Sequence, residues 1–172
     1  MHRLTEISRR RLDIQGFDSV DDQVLAGVAP WLRLAFGLCA LIAGIGTVLA
    51  SPTILMLMVP VAGSAALFPV HPFDLIYNHG IRRFTGTGPL PRRGAPSRFA
   101  CGLGAVWLLP TAWAFQTRRL ATGYVLGGAV TLIAVLVSTT DICIPSLVFR
   151  LAFGLPPRRA TAPPPSDLHP PQ

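Results

Sequence analysis

Side chains able to do chemistry gather in one short segment of this 172-residue chain, His71-Pro-Phe-Asp-Leu-Ile-Tyr-Asn-His79-Gly80. Pro72 suits a first helical position and Gly80 a C-terminal cap, which predicts two turns of helix. At about 100° per residue, Phe73, Ile76 and Tyr77 share one face, while His71, Asp74 and Asn78 share the other. An Asp one turn from a His can orient its ring and raise its pKa, as a general base or the carboxylate behind a metal ligand requires. The plainer reading is an interfacial helix whose polar face meets water, with His71 capping it and Asn78 tying down the loop that follows. That reading is favoured, because one His on one short helix is a thin constellation. His71 and His79 lie ~12 Å apart along a straight helix axis, too far to share an ion, so no metal site is expected.

Three cysteines stand singly, Cys39, Cys101 and Cys143, with no CxxC and no secreted disulfide pattern. Cys39 falls within an apolar run and reads as a small packing residue. Cys101 and Cys143 both lie toward the arginine-rich side, but straight helices would set them ~12 Å apart in depth. A disulfide, which needs Cα atoms within about 7 Å, would therefore require a kink at Pro110 or an early end to the last span. Asp141-Ile-Cys-Ile-Pro-Ser146 breaks a helix and could present Cys143 to partners, although burial beside Asp141 would raise its pKa and quiet it. The catalytic candidates are thus His71, Asp74, Asn78, Cys101 and Cys143.

The elements that would position these groups are four apolar stretches, 31–50, 53–69, 99–116 and 120–140, none holding an acidic residue. Each approaches the ~20 residues that cross a bilayer. With 51% hydrophobic and 13% charged residues, the chain has too little polar surface to cover a soluble globule. The expected fold is all-α, a four-helix transmembrane bundle with short cytoplasmic interfacial helices. Residues 1–28 form a basic N-terminal segment with a short helix, 29–154 the membrane domain with a loop at 70–98, and 155–172 a disordered Pro-rich tail.

All fifteen basic residues are arginines, which give a net charge of +7. Their placement between spans reads as topology rather than nucleic-acid binding. Thirteen fall on one side, counting Arg33 as snorkelling at the start of the first span, and only Arg118 and Arg119 on the other. Positive-inside counting puts both termini and the 70–98 loop in the cytoplasm. Arg9, Arg10 and Arg11 can lie on anionic headgroups, and Arg82, Arg83, Arg92, Arg93 and Arg98 are candidate headgroup or partner contacts. A helix is expected from the Ser19–Asp22 capping box, with a kink at Pro30. Residues 85–96 read as an extended connector. Ser146–Phe153 reads as an interfacial helix, with Leu147, Val148 and Leu151 on one stripe and Arg150 free for headgroups. Gly123 and Gly127 form a GxxxG pair through which the chain could oligomerise.

Three ordered motifs, His71–Asn78, Leu90–Cys101 entering the third span and Cys143–Ser146 after the fourth, resemble bacterial integral membrane proteins catalogued as domain of unknown function 4395 (DUF4395). The resemblance covers residues 29–154. It implies a four-span protein of the bacterial inner membrane and brings no activity with it. Two functional classes stay open. One is a non-catalytic membrane subunit that engages a cytoplasmic protein through the arginine loop. The other is a membrane redox component, thiol-disulfide or quinone-linked, built on the thiols and the His71/Asp74 face. No cofactor is expected, the balance leans away from an enzyme, and a transporter ranks last for want of ionisable groups at mid-bilayer.

Overall fold

The computed structural model describes residues 4–156. The disordered tail expected from residue 155 onward therefore falls almost wholly outside the described residues. Eight α-helices and no strand appear among those described: α1 Glu6–Leu12, α2 Asp22–Val48, α3 Pro52–Leu67, α4 Pro72–Ile76, α5 Arg82–Thr85, α6 Ala95–Gln116, α7 Leu120–Thr140 and α8 Ile144–Phe153.

Local chemistry sets most boundaries. Asp21 starts α2 by accepting from the Gln23 amide at 2.8 Å. The helix then continues through Pro30 into the first span. Ser51 accepts from the Ile54 amide, and Pro52 occupies the first turn of α3, so α2 and α3 form a tight hairpin. The α4 segment widens into a looser turn at Tyr77–Ile81 and runs on into α5. Gly80 is thus not the stop: the chain turns at Gly86, whose φ of 64° suits a residue without Cβ. The connector from 86 to 94 is extended, as expected.

The long helices pack in a closed ring, α2 on α3, α3 on α6, α6 on α7 and α7 back on α2. Two glycines make the last two contacts close. A Cβ on Gly127 would lie 2.4 Å from Thr47 Oγ1 of α2, and one on Gly123 would lie 2.6 Å from the Phe115 ring of α6. The GxxxG pair is therefore used inside the chain, and an oligomer through it would have to displace the chain's own helices. Helices α2, α6 and α7 are long and apolar enough to cross a membrane; α3 qualifies only together with α4–α5 across an 84° bend. The architecture is a helical membrane bundle of three crossings, or four with the bent one.

At the arginine-rich end the structure corrects several expectations. Arg9 is buried, paired with Asp13 and Asp22 and donating to the Phe17 and Val20 carbonyls. Arg10 reaches the Pro156 carbonyl and Arg11 the Thr140 carbonyl, so this triad is engaged within the protein rather than spread on headgroups. Arg33 does not snorkel. It donates from Nε and Nη2 to both carboxylate oxygens of buried Asp141, joining α2 to the end of α7. Arg150 holds the Asp13 and Ile14 carbonyls and Asp18 instead of facing lipid, whereas Leu147, Val148 and Leu151 of α8 are exposed as the apolar stripe requires. Two kinds of acceptor draw these side chains in: backbone carbonyls left without partners at helix ends and turns for Arg9, Arg10, Arg11 and Arg150, and carboxylates for Arg9, Arg33 and Arg150.

Candidate functional site

His71 and Asp74 form a capping box at the start of α4. His71 Nδ1 accepts from the Phe73 amide at 3.2 Å, and Asp74 Oδ2 accepts from the His71 amide at 3.3 Å. The cap agrees with the sequence; the direction it faces does not. His71 and Asp74 are 1% and 3% exposed, whereas Leu75 and Ile76 lie open, so the polar face points into the bundle. Of the expected apolar face, Phe73 packs against the core cluster of Leu55, Met58 and Leu108, and Tyr77 is fully buried with its ring 5.1 Å from that of Trp31. Asn78 accepts from the Leu90 amide at 3.0 Å and ties down the connector, as expected.

The inward turn is explained by Arg93. Expected to meet headgroups, it is instead 3% exposed. Its Nε and Nη2 donate to the two oxygens of Asp74 at 2.7 and 2.8 Å, a bidentate pair with neither side chain in contact with solvent. Its guanidinium sits 4.9 Å over the Phe36 ring of α2, and its backbone amide donates to the Pro69 carbonyl at 2.8 Å. Burial works against the charge on Arg93, but Asp74 more than offsets it and holds the group protonated, above its ordinary range. Arg82, Arg83 and Arg92 are exposed as expected, and Arg98 caps α3 by donating to the Ala66 and Leu67 carbonyls.

Three thiols lie within electrostatic reach of this guanidinium. Its charge reaches Cys39, Cys101 and Cys143, and Cys101 in turn is an electrostatic neighbour of both other cysteines. Cys39 packs against the Leu55, Met58 and Leu108 cluster, as expected, and its Sγ also lies 3.8 Å from His71 Nε2. Because Nδ1 accepts from the Phe73 amide, the neutral ring must carry its proton on Nε2, which points that N–H at the sulfur. Burial, reinforced by Arg93, pushes His71 down to about 4 against the upward pull of Asp74, so at neutral pH the ring is neutral and its Nε2–H is a donor.

Cys143 is 5% exposed and Cys101 8%, so neither is presented to solvent. The Ser146 hydroxyl donates to the Pro96 carbonyl at 3.1 Å, which fastens the start of α8 to the start of α6, and lies 3.0 Å from Cys143 Sγ. Burial pushes the Cys143 thiol up, against the pull of Ser146 and Arg93. The quieting expected of Asp141 comes from burial alone, since Asp141 is occupied by Arg33. Two buried donors face this region without a partner among the described residues: Arg93 Nη1 and the Ser97 hydroxyl, one helical turn from Cys101. His79 is exposed, donating to the Leu75 carbonyl at 3.0 Å, and takes no part. Among the described residues no group of three or more His, Cys, Asp or Glu is arranged to hold a metal ion.

Of the candidate residues, the fold unites His71, Asp74, Cys101 and Cys143 and sets Asn78 aside as a loop tether. Cys39, Phe36, Ser146 and the site role of Arg93 were missed. One signal pointed to Arg93: between residues 23 and 166 the chain holds only two acids, Asp74 and Asp141, each at the end of an apolar span. Isolated carboxylates there must find a cation, and each has found an arginine.

No curated protein and no solved structure matches the chain. Residues 24–153 match the family described as Domain of unknown function (DUF4395), a stretch that contains every residue of the cluster from Phe36 to Ser146. The matched stretch is well over half of the sequence, and the chain belongs to that family.

Proposed function

We propose that this is a multi-pass protein of the bacterial cytoplasmic membrane, with both termini and the 70–98 loop on the cytoplasmic side, and that it works as a thiol redox component. The observation that carries the reading is that the helices bearing Cys101 and Cys143 pack on one another within electrostatic reach of one buried guanidinium with a donor to spare, with Cys39 against His71 beside them. Ionisable groups held at the edge of a bilayer are costly and tend to be kept for function. Cys101 and Cys143 are the dithiol, because α6 and α8 pack directly, whereas α2 and α6 lie across the ring from one another. Arg93 Nη1 is the donor available to a thiolate formed there.

The step is thiol–disulfide exchange with a cytoplasmic disulfide protein. The Cys143 thiolate attacks the partner's disulfide and releases one partner thiolate; the Cys101 thiolate then attacks the mixed disulfide and releases the second. The Cys101–Cys143 disulfide forms, the partner gains two electrons, and the two protons from the cysteines end on its thiols.

The test is redox titration of the purified protein in lipid nanodiscs with a glutathione couple, followed by peptide mapping of the cysteines. A Cys101–Cys143 disulfide is expected in the wild type and in Cys39→Ser, and none in Cys101→Ser or Cys143→Ser. Recovery of both thiols free at a poise that fully oxidises a reference dithiol overturns the reading. A second reading, a non-catalytic subunit recruiting a cytoplasmic protein, is supported by the exposed lobe at α4–α5, where Phe84 is 92% exposed beside exposed Arg82 and Arg83. Partner binding that is unchanged in a Cys101→Ser/Cys143→Ser double variant and lost in Phe84→Ala/Arg83→Ala favours it.

A further inference from the structure

The segment ahead of α2 lies outside the family match, which begins at residue 24. It is nonetheless built into the mouth of the thiol site. Leu12 and Phe17 are each 1% exposed and anchor it in an apolar cluster with Leu25, Val28 and Tyr77. From that anchor, residues 11–18 reach both sides of Cys143. Arg11 donates to the Thr140 carbonyl and Gln15 to the Asp141 carbonyl, both at 2.8 Å, on the α7 side. On the other side Gly16 lies directly on Gly94 and Pro96: a Cβ at Gly16 would stand 2.8 Å from Gly94 Cα and 3.0 Å from Pro96 Cδ. Pro96 is also the residue whose carbonyl accepts from Ser146 beside Cys143 Sγ. Arg150 of α8 closes the ring by holding Asp13, Ile14 and Asp18.

We infer that residues 5–21 are a built-in cover over the arginine-rich mouth of the Cys101/Cys143 site, occupying the surface that a disulfide-bearing protein would need to reach Cys143. The inference rests on the redox reading for its purpose but not for its geometry. The cover is anchored by Leu12 and Phe17 in the core, and the turn between them, residues 13–16, is held by hydrogen bonds to carbonyls and by a glycine–glycine contact. Gly16 makes the contact possible, both by lacking a Cβ and by adopting a φ of 99°.

The test is the rate at which a charged, membrane-impermeant maleimide labels Cys143 in the full chain. A Cys39→Ser/Cys101→Ser background is used, in nanodiscs that expose both faces. Wild-type sequence at the cover is expected to label at least about a hundredfold more slowly than an unfolded reference peptide bearing the same cysteine. Gly16→Val, which cannot seat the turn, and Arg150→Gln, which releases it from α8 without touching the apolar anchor, are each expected to speed labelling about tenfold. Labelling of the wild-type cover as fast as the reference overturns the inference, as does a rate unchanged in both variants. Because the readout is chemical access and not electron transfer, failure here leaves the glutathione titration to be judged alone, and the reverse holds too.

Discussion

Asp74→Asn and Arg93→Met, singly and together, interrogate the pair at the centre of the site. Asn can still accept from the His71 amide, so the first change removes charge while keeping the cap; Met keeps an unbranched apolar stem against Phe36 while removing the guanidinium. Arg93 and Asp74 side chains are 0% and 3% exposed, so water cannot take over for either lost partner. Two unit charges about 4 Å apart at an effective dielectric near 20 attract by about 4 kcal/mol. Breaking a buried pair from one side typically costs about 3–5 kcal/mol, because the survivor stays buried and unpaired. For a protein of this size that corresponds to a fall in Tm of about 10 °C. The assay is thermal unfolding of each variant in detergent, read as a double-mutant cycle. Each single change is expected to cost about 3 kcal/mol or more, and the double change less than the sum, with a coupling of at least about 2 kcal/mol. A coupling within about 0.5 kcal/mol of zero refutes the reasoning, because it would mean that the two groups do not depend on each other.

Stability also carries the sign of His71, which is held at about 4 in the fold against 6.5 for the ordinary group. The unfolded chain therefore binds the proton first, so the contribution is whole above pH 6.5, falls as pH drops toward 4, and totals about 3 kcal/mol. His71→Asn, which still caps α4, is expected to flatten that window in a Tm-against-pH profile, and an unchanged slope counts against the buried neutral ring. Gly127→Val drives a side chain into Thr47, whose Oγ1 stands 2.4 Å from the position of a Cβ, and is expected to cost about 1–3 kcal/mol. Thr47→Ala in the same chain should recover part of the loss; no recovery would place the strain elsewhere.

Much of the fold was legible because hydropathy is a local sum. Runs of apolar residues mark α2, α3, α6 and α7 whatever they pack against, and Ser51-Pro52 and His71 mark helix starts through hydrogen bonds to residues two or three places on, whereas α2 is capped by Asp21 and not by the expected Ser19. The same locality brought His71 and Asp74 together in advance, one turn apart on one face. It could not say whether that face met water or protein. An amphipathic helix of five residues reads alike in either setting, and the answer depended on a guanidinium 19 residues further along that the sequence ranked with four other loop arginines.

The amino-acid sequence by itself determined the medium of this protein, the order of its long helices, and the presence of two lone carboxylates that had to be neutralised. Only the tertiary structure decided which of fifteen arginines neutralise them, that Cys39 stands with Cys101 and Cys143 about Arg93, and that the basic N-terminal segment closes over them. The physical reason lies in range. Burial of an apolar side chain is favourable against almost any neighbour, so it is written residue by residue along the chain. A buried charge or hydrogen-bond donor is satisfied only by a particular partner at a particular distance, and that partner is chosen by how distant helices pack.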